Sequence, residues 1–443
     1  MTHMHRARLS KLSLGLIVAL AAAPAFAQST SAGVGGQVTG AGGQPVAGAE
    51  VTIVHTESGT VSRATTDASG RYNARGLRVG GPYTITVTKA GEGTRTEDNV
   101  YLNLNQVNTV NTALTGDMTT LQTVTATAIG GGSEIFSANK MGTGTNVTSA
   151  EIEALPSISR TLQDFARLDP RVSQTDKARN EISIGGQNPR YNAIRVDGIN
   201  SGDTFGLESN GLAAPRQPFS MDTIDEIAVD VANYDVTITG GVGGVINAVT
   251  KSGTNNFSGT VYGIYRDNDW SGKNQNDIRP VLFDNETTYG LTFGGPIIKD
   301  RLFFFANYEK YTGKELFIGN SSYGPTGSGA SNIVGISQGD IDRVIGIARN
   351  TWGFDAGSLA LPALDTESEE YGLKIDWNIN DNHRASFRYA KSEQNQAYLQ
   401  GFGNSSLALN TYHYIKNYEI ETSTAQLFSD WSDIFSTEMK VSY

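Results

Sequence analysis

The sequence predicts a mainly β protein: a small β-sandwich, then an α+β unit, then a set of long antiparallel strands. Three observations carry this. Charged residues make up 18% of the chain and apolar residues 38%, both below the roughly 25% and 45–50% of soluble domains. Glycine is abundant at 51 of 443 residues, well above the usual ~7%, as in chains with many tight turns. Apolar and polar residues alternate in one segment after another, the period-two signature of strands with two unlike faces.

Residues 1–27 read as a secretory signal. Arg6, Arg8 and Lys11 precede the apolar run Leu12 to Ala23, and Ala25-Phe26-Ala27 supplies the small-x-small cleavage pattern. No later stretch is apolar enough for a helical span, so the exported chain is periplasmic, secreted or a β-barrel. The formal charge of −11 argues against a nucleic-acid partner. With no cysteine, disulfides and thiol chemistry are excluded. His55, His383 and His413 are isolated, so neither zinc nor any other cofactor is expected, and no nucleophile–base constellation points to an enzyme.

Residues 34–115 read as a compact sandwich. Val51, Ile53, Tyr83, Ile85 and Val87 alternate with Thr52, Thr84 and Thr86, between turn signals at Gly42-Gly43, Asp67 to Gly70 and Gly80-Gly81-Pro82. The segments GQVTGAGGQPVAGAEVTIV and TTDASGRYNARGLRVGGPYTITVTKAG, with a closing NTALT, resemble the carboxypeptidase regulatory-like domain. That resemblance implies an Ig-like accessory module and no activity of its own.

Residues 116–133 form a linker with a short β-prone stretch, LQTVTATAIGGGS. A strand-competent segment that cannot bury itself suits addition to another protein's sheet edge. Leu121 to Ala128 resembles a TonB box, the docking peptide of outer-membrane active transporters. The resemblance implies that Leu121, Thr123, Val124, Thr125, Ala126 and Thr127 dock TonB, through backbone as much as side chain.

In residues 134–250, Leu162, Phe165 and Leu168 lie at helical spacing before Pro170. Two short strands follow with Asn188-Pro189 between them. Asp197-Gly198 reads as a turn. The run Gly240 to Gly244 lacks the Gly-Lys-Ser/Thr ending of a phosphate loop and reads as a tight turn with close backbone approach. The ordered motifs LDPRV, IGGQNPRYNAIRVDGI, IDEIAVD and GGVGGVINAVTK resemble the plug domain of TonB-dependent transporters. The wording is most similar to the Oar-like (OmpA-related) subgroup, which also carries the regulatory-like domain first. The resemblance directs the search for substrate contacts to the apical plug region, around Asn200, Asp203, Asn210 and Arg216.

Residues 251–443 read as the N-terminal part of a transmembrane β-barrel. Seven long alternating segments lie near 257–270, 286–298, 301–316, 368–380, 383–396, 411–430 and 435–443. Tyr371, Leu373, Ile375, Trp377 and Ile379 share one face; Lys374 and Asp376 lie on the other. A basic residue facing lipid at mid-depth costs roughly 2–4 kcal/mol, so the charged face points to the lumen. A plugged barrel of about 22 strands needs roughly 220 residues before turns, more than this segment holds, and a fragment of a longer transporter is expected. Residues 317–365 read as a long loop with a short helix at 340–350, either a substrate-capturing or a merely solvated connection.

The resemblance as a whole implies TonB-dependent uptake of an unidentified extracellular substrate, with outer-membrane lipid and TonB as partners and the N-terminal domain in the periplasm. The alternative is an exported surface β-protein for adhesion or for carbohydrate or protein binding, without transport.

Overall fold

The computed structural model of the chain describes residues 30–115, 124–125, 142–157, 160–177, 179–206, 208–233, 240–273, 283–315, 323–360, 365–398, 401–432 and 435–443. The leader read over 1–27 lies outside them.

The N-terminal strands are β1 (Ala32–Thr39), β2 (Glu50–His55), β3 (Thr60–Thr65), β4 (Arg71–Leu77), β5 (Gly80–Lys89), β6 (Gly93–Leu102), β7 (Val107–Thr109), β8 (Thr112–Ala113) and β9 (Val124–Thr125). They form two sheets, β3-β2-β5-β6-β9 and β4-β1-β7, with β8 also on β1. The threonine alternation does what the pattern requires. Val51, Ile53, Ile85 and Val87 are fully buried between the sheets, while Thr52, Thr84 and Thr86 are only half-buried on the opposite face. Each such Val or Ile contributes about 1.5–3 kcal/mol. Gly80 opens β5 rather than a turn. The core does not stop at the sandwich: Ala228 and Val249, from the next unit, belong to it.

That unit holds β10 (Gly142–Thr148), α1 (Ser149–Ala154), α2 (Leu162–Ala166), β11 (Val172–Asp176), β12 (Glu181–Ile184), β13 (Asn192–Val196), β14 (Ile199–Asn200), β15 (Ile224–Asn233) and β16 (Gly244–Thr250). Its central sheet runs β10-β15-β16-β13-β14. Thr148 starts α1 with a capping box shared with Glu151, which satisfies two N–H groups that the first helical turn leaves open. Leu162 and Phe165 of α2 enter the second core. The expected third position does not: the helix ends at Ala166 and Leu168 is exposed. Asn188 does not join a hairpin either. It caps a 3-10 turn at Pro189–Tyr191, and the flanking strands part, β12 pairing with β11 and β13 with β16.

Asp197 and Gly198 both take positive φ, 48° and 70°, the geometry of the two-residue turn that closes the β13–β14 hairpin. At the glycine run, a Cβ on Gly244 would lie 2.4 Å from Ile184 and one on Gly243 2.6 Å from Asn192. Close approach, not phosphate binding, accounts for these glycines.

The third unit is a wall of seven antiparallel strands in chain order. They are β17 (Ser258–Asp267), β18 (Phe283–Ile298), β19 (Leu302–Glu315), then, beyond the connection strands β20 (Tyr323–Thr326) and β21 (Asn332–Ser337), β22 (Asp365–Asn380), β23 (His383–Tyr398), β24 (Tyr414–Ser432) and β25 (Phe435–Ser442). Tyr289, Leu291, Phe293, Tyr371, Leu373 and Trp377 are exposed on one face; Thr288, Thr292, Lys374 and Asp376 are buried on the other. The wall curves around the central sheet with its polar face inward, and β17 and β25 are its edges. One end of the wall has short turns, at 299–301 and 381–382. The other carries long connections, including α3 (Gln338–Trp352), capped by a Ser337–Asp340 box and ended by Gly353 in the left-handed region.

Candidate functional site

At the long-connection end, the loop between β14 and β15 forms the top of the central unit. Asn200 is exposed and its Oδ1 accepts from the Gly202 N–H at 3.0 Å. The Asp203 carboxylate accepts from the N–H groups of Phe205 and Glu208 at 2.9 and 2.6 Å. Asn210 points inward: it is buried, donates to the carbonyls of Ala214 and Pro215, and accepts from the Leu212 N–H. These three residues lie together and brace one loop, and Phe205 is its most exposed apolar side chain among the described residues.

Arg216 sits apart, on the wall. Its guanidinium stacks 3.9 Å from the Tyr311 ring centre and lies 3.8 Å from the Glu309 carboxylate. Its backbone carbonyl accepts from Gln394 Nε2 at 2.9 Å. Residues not singled out in the sequence complete this seam. Glu370 of β22 accepts from the Ser220 N–H at 2.7 Å. Glu208 pairs with Lys416 at 3.2 Å and accepts from Tyr418 at 2.7 Å.

Deeper in the wall, Asp197 forms the densest ionic contact. Both carboxylate oxygens accept from Thr250, through its N–H at 2.9 Å and its hydroxyl at 2.7 Å. Arg388 Nε lies at 3.1 Å, and Lys374 Nζ donates to the Thr250 carbonyl at 2.8 Å. Burial opposes ionisation of Asp197, but Lys374, Arg388 and the Thr250 hydrogen bonds outweigh it and hold the carboxyl below its usual range. The signal for these contacts was present in the strands, as charges on the face opposite the aromatics.

At the short-turn end the sandwich closes the wall. Arg384 donates to the Gly76 carbonyl and Arg63 pairs with Asp381. Arg78 donates to the Gly253 carbonyl at 3.2 Å and lies over the Phe303 ring at 5.2 Å. A cleft of about 1380 Å³ lies among the three units, lined by Arg78, Glu97, Asp225, Lys374, Arg384 and Gln426 among others.

Glu226 of β15 locks sandwich to central sheet. Its Oε1 accepts from the Leu104 N–H at 2.9 Å and from Asn146 Nδ2 at 2.5 Å. Burial raises its pKa to about 8 despite these bonds. A carboxyl raised on folding gives stability that is full below the ordinary Glu value and is lost as pH rises through the folded one. Glu226→Gln keeps the acceptor and cannot ionise. The variant should match the parent near pH 5 and hold the sandwich more firmly above pH 8, measured by protease release of the sandwich from the full-length protein. Glu226→Ala orphans the buried Leu104 N–H and should cost about 1–3 kcal/mol at every pH.

Of the residues singled out by the TonB-box resemblance, Val124 and Thr125 are described, as β9. Their backbone runs parallel to Glu97 and Asp98 of β6. Leu121, Thr123, Ala126 and Thr127 lie outside the described residues.

A wall with an aromatic-aliphatic outer face, a charged inner face and a folded unit held against that inner face defines an outer-membrane β-barrel protein with an internal plug. Residues 33–115 match the carboxypeptidase regulatory-like domain and residues 249–328 the outer membrane beta barrel domain. The chain is homologous to the TonB-dependent transporter Oar of Myxococcus xanthus, 27% identical over 319 residues that span 66% of this chain and 28% of that protein. It is also similar to the probable TonB-dependent siderophore receptor PirA of Acinetobacter baumannii, 28% identical over 205 residues, 42% of this chain and 25% of the receptor. The chain therefore spans little more than a quarter of these relatives, which are transporters or receptors rather than enzymes. Among solved structures, the outer membrane transporter YddB of Escherichia coli aligns with 68% of this chain and 38% of its own, at 15% identity and a TM-score of 0.47. The protein resides in the Gram-negative outer membrane. In such barrels short turns face the periplasm and long loops the outside, which puts the sandwich on the periplasmic side and the loop of Asn200 and Asp203 outside.

Proposed function

We propose that this chain is the plug-bearing part of a TonB-dependent transporter that takes up an extracellular substrate. Homology to Oar over 66% of the chain supports the reading, and the observation that carries it is the plug's attachment. The plug is held to the wall by polar and ionic contacts, through Asp197, Glu208, Arg216 and Ser220, and among the described residues neither apolar core includes a residue of the wall. Such contacts can be exchanged for water when a pull is applied, whereas an apolar seam resists separation in proportion to its area.

In this reading Leu121, Thr123, Val124, Thr125, Ala126 and Thr127 receive TonB by strand addition. The outer plug loop framed by Asn200, Asp203 and Arg216, and braced from inside by Asn210, faces the substrate. The regulatory-like domain stands at the periplasmic exit.

The test is growth profiling of a strain lacking the full-length gene. It should lose the use of at least one nutrient class, and a strain lacking TonB should lose the same one. A deletion strain indistinguishable from its parent on every source, in a background where TonB loss is deleterious, overturns the reading.

A further inference from the structure

The strand assigned to TonB already has a partner. Without β9, strand β6 would be the rim of its sheet, and an open rim offers its N–H and carbonyl groups to any extended chain. Val124 and Thr125 occupy that rim, in register with Glu97 and Asp98. The rim itself is rigid. β6 is paired along its other side with β5, Thr84 Oγ1 donates to the Asp98 carboxylate at 2.7 Å, and Arg95 pairs with Glu97 at 2.9 Å. The sandwich is in turn fixed to plug and wall through Leu104, Gly76 and Arg78.

The edge is also interrupted just beyond the docked pair. Asn99, directly after Asp98, has φ 59° and turns β6 out of line, while the β5–β6 register shifts between Tyr83 and Ile85. A left-handed residue and a register shift are the marks of a bulge, which ends pairing. Among the described residues the parallel pairing involves Val124 and Thr125, and the bulge limits how far it can continue past Asp98.

We propose that the β6 edge of the regulatory-like domain is an intramolecular dock for the TonB-docking strand, and that TonB engages by taking the strand off this edge. The inference rests on the reading that residues 121–127 bind TonB. Both acceptors offer the strand the same thing, a row of backbone donors and acceptors. A pull on the chain draws Val124 and Thr125 away from a sandwich that stays seated, so the dock is given up before force reaches the plug. While docked, the strand is withheld from TonB. The apparent affinity for TonB is then lowered by the fraction of molecules in which the strand is free. One net backbone hydrogen bond corresponds to about a three- to tenfold change.

The test is a cysteine pair in the full-length protein, Asp98→Cys with Thr125→Cys, since these 443 residues contain no cysteine and paired strand positions suit a disulfide. In resting outer membranes the pair should cross-link well above a mismatched control, Thr94→Cys with Thr125→Cys. An excess of purified TonB C-terminal domain should suppress the cross-link. The oxidised protein should neither bind TonB nor transport, and reductant should restore both to the level of Thr125→Cys alone. Deleting residues 31–115 should tighten TonB binding about three- to tenfold. Cross-linking no better than the control, or TonB binding unaffected by the lock, overturns the dock. If that happens while Val124→Pro still abolishes TonB binding, the transporter reading stands alone. If Val124→Pro leaves TonB binding intact, both fall.

Discussion

Val124→Pro in the full-length protein should reduce energised uptake to the level of a strain without TonB, a loss of at least tenfold, while substrate binding at the cell surface stays within twofold of the parent. Proline removes the N–H of residue 124 and fixes its φ, which interrupts a ladder wherever that strand pairs. The plug, the wall and the outer loop are untouched, because among the described residues Val124 pairs only with Glu97. The same change loosens the pairing to β6, and that alone would favour TonB. A loss of uptake therefore reports the TonB side of the exchange. Val124→Thr keeps the N–H and the β-branched shape and should retain most uptake. The measurement is accumulation of labelled substrate, with binding read on de-energised cells. Unchanged uptake in Val124→Pro would remove the docking assignment.

The wall was legible because lipid and lumen impose opposite demands on alternate residues. At Tyr371 to Trp377 the sequence states both faces, and the structure exposes Tyr371, Leu373 and Trp377 while burying Lys374 and Asp376. At Leu302 to Phe305 both faces are apolar, and it is Asn307 and Glu309, further along the same strand, that mark the face of Phe303 and Phe305 as the inner one. The structure turns Phe303 and Phe305 inward, where Arg78 covers Phe303. What alternation does not show is the cover over Phe303, a contact between segments over two hundred positions apart. Glu226 was illegible for a related reason. Inside IDEIAVD it looks like a solvated charge on a half-exposed strand. Both faces of β15 are in fact covered, one by the plug core with Ile227 and Val229, the other by the sandwich core with Ala228. Periodicity shows which residues share a face; it carries no information about whether a second domain covers that face. The outer loop shows the same limit for function. Asn210 has the chemistry of a ligand contact, and its amide is spent on Ala214, Pro215 and Leu212.

Asp197→Ala should give the largest loss of plug retention. The wild-type carboxylate is buried at 5% exposure and neutralises Arg388 and Lys374. Removing it leaves Arg388 beneath the plug without its salt-bridge partner and takes a compensating charge from Lys374, and breaking a buried ion pair from one side costs about 3–5 kcal/mol. It also frees the Thr250 N–H and hydroxyl. Pairing the change with Arg388→Ala should cost less than the sum of the single variants, because the second substitution removes one stranded charge. The pH dependence has a definite sign. A carboxyl whose folded pKa is depressed gives stability that is present above its unfolded value, about 3.9 for Asp, and is lost as pH falls through the folded value. Parent and Asp197→Asn should therefore differ most at neutral pH and converge only in strong acid. Two readouts check this on the full-length protein: the denaturant midpoint of the plug in detergent, and ion conductance in planar bilayers, which rises when the plug leaves without a pull. Equal midpoints for Asp197→Ala and the parent at pH 7 would mean that the wall retains the plug by other contacts, with Arg216 and Ser220 the next to test.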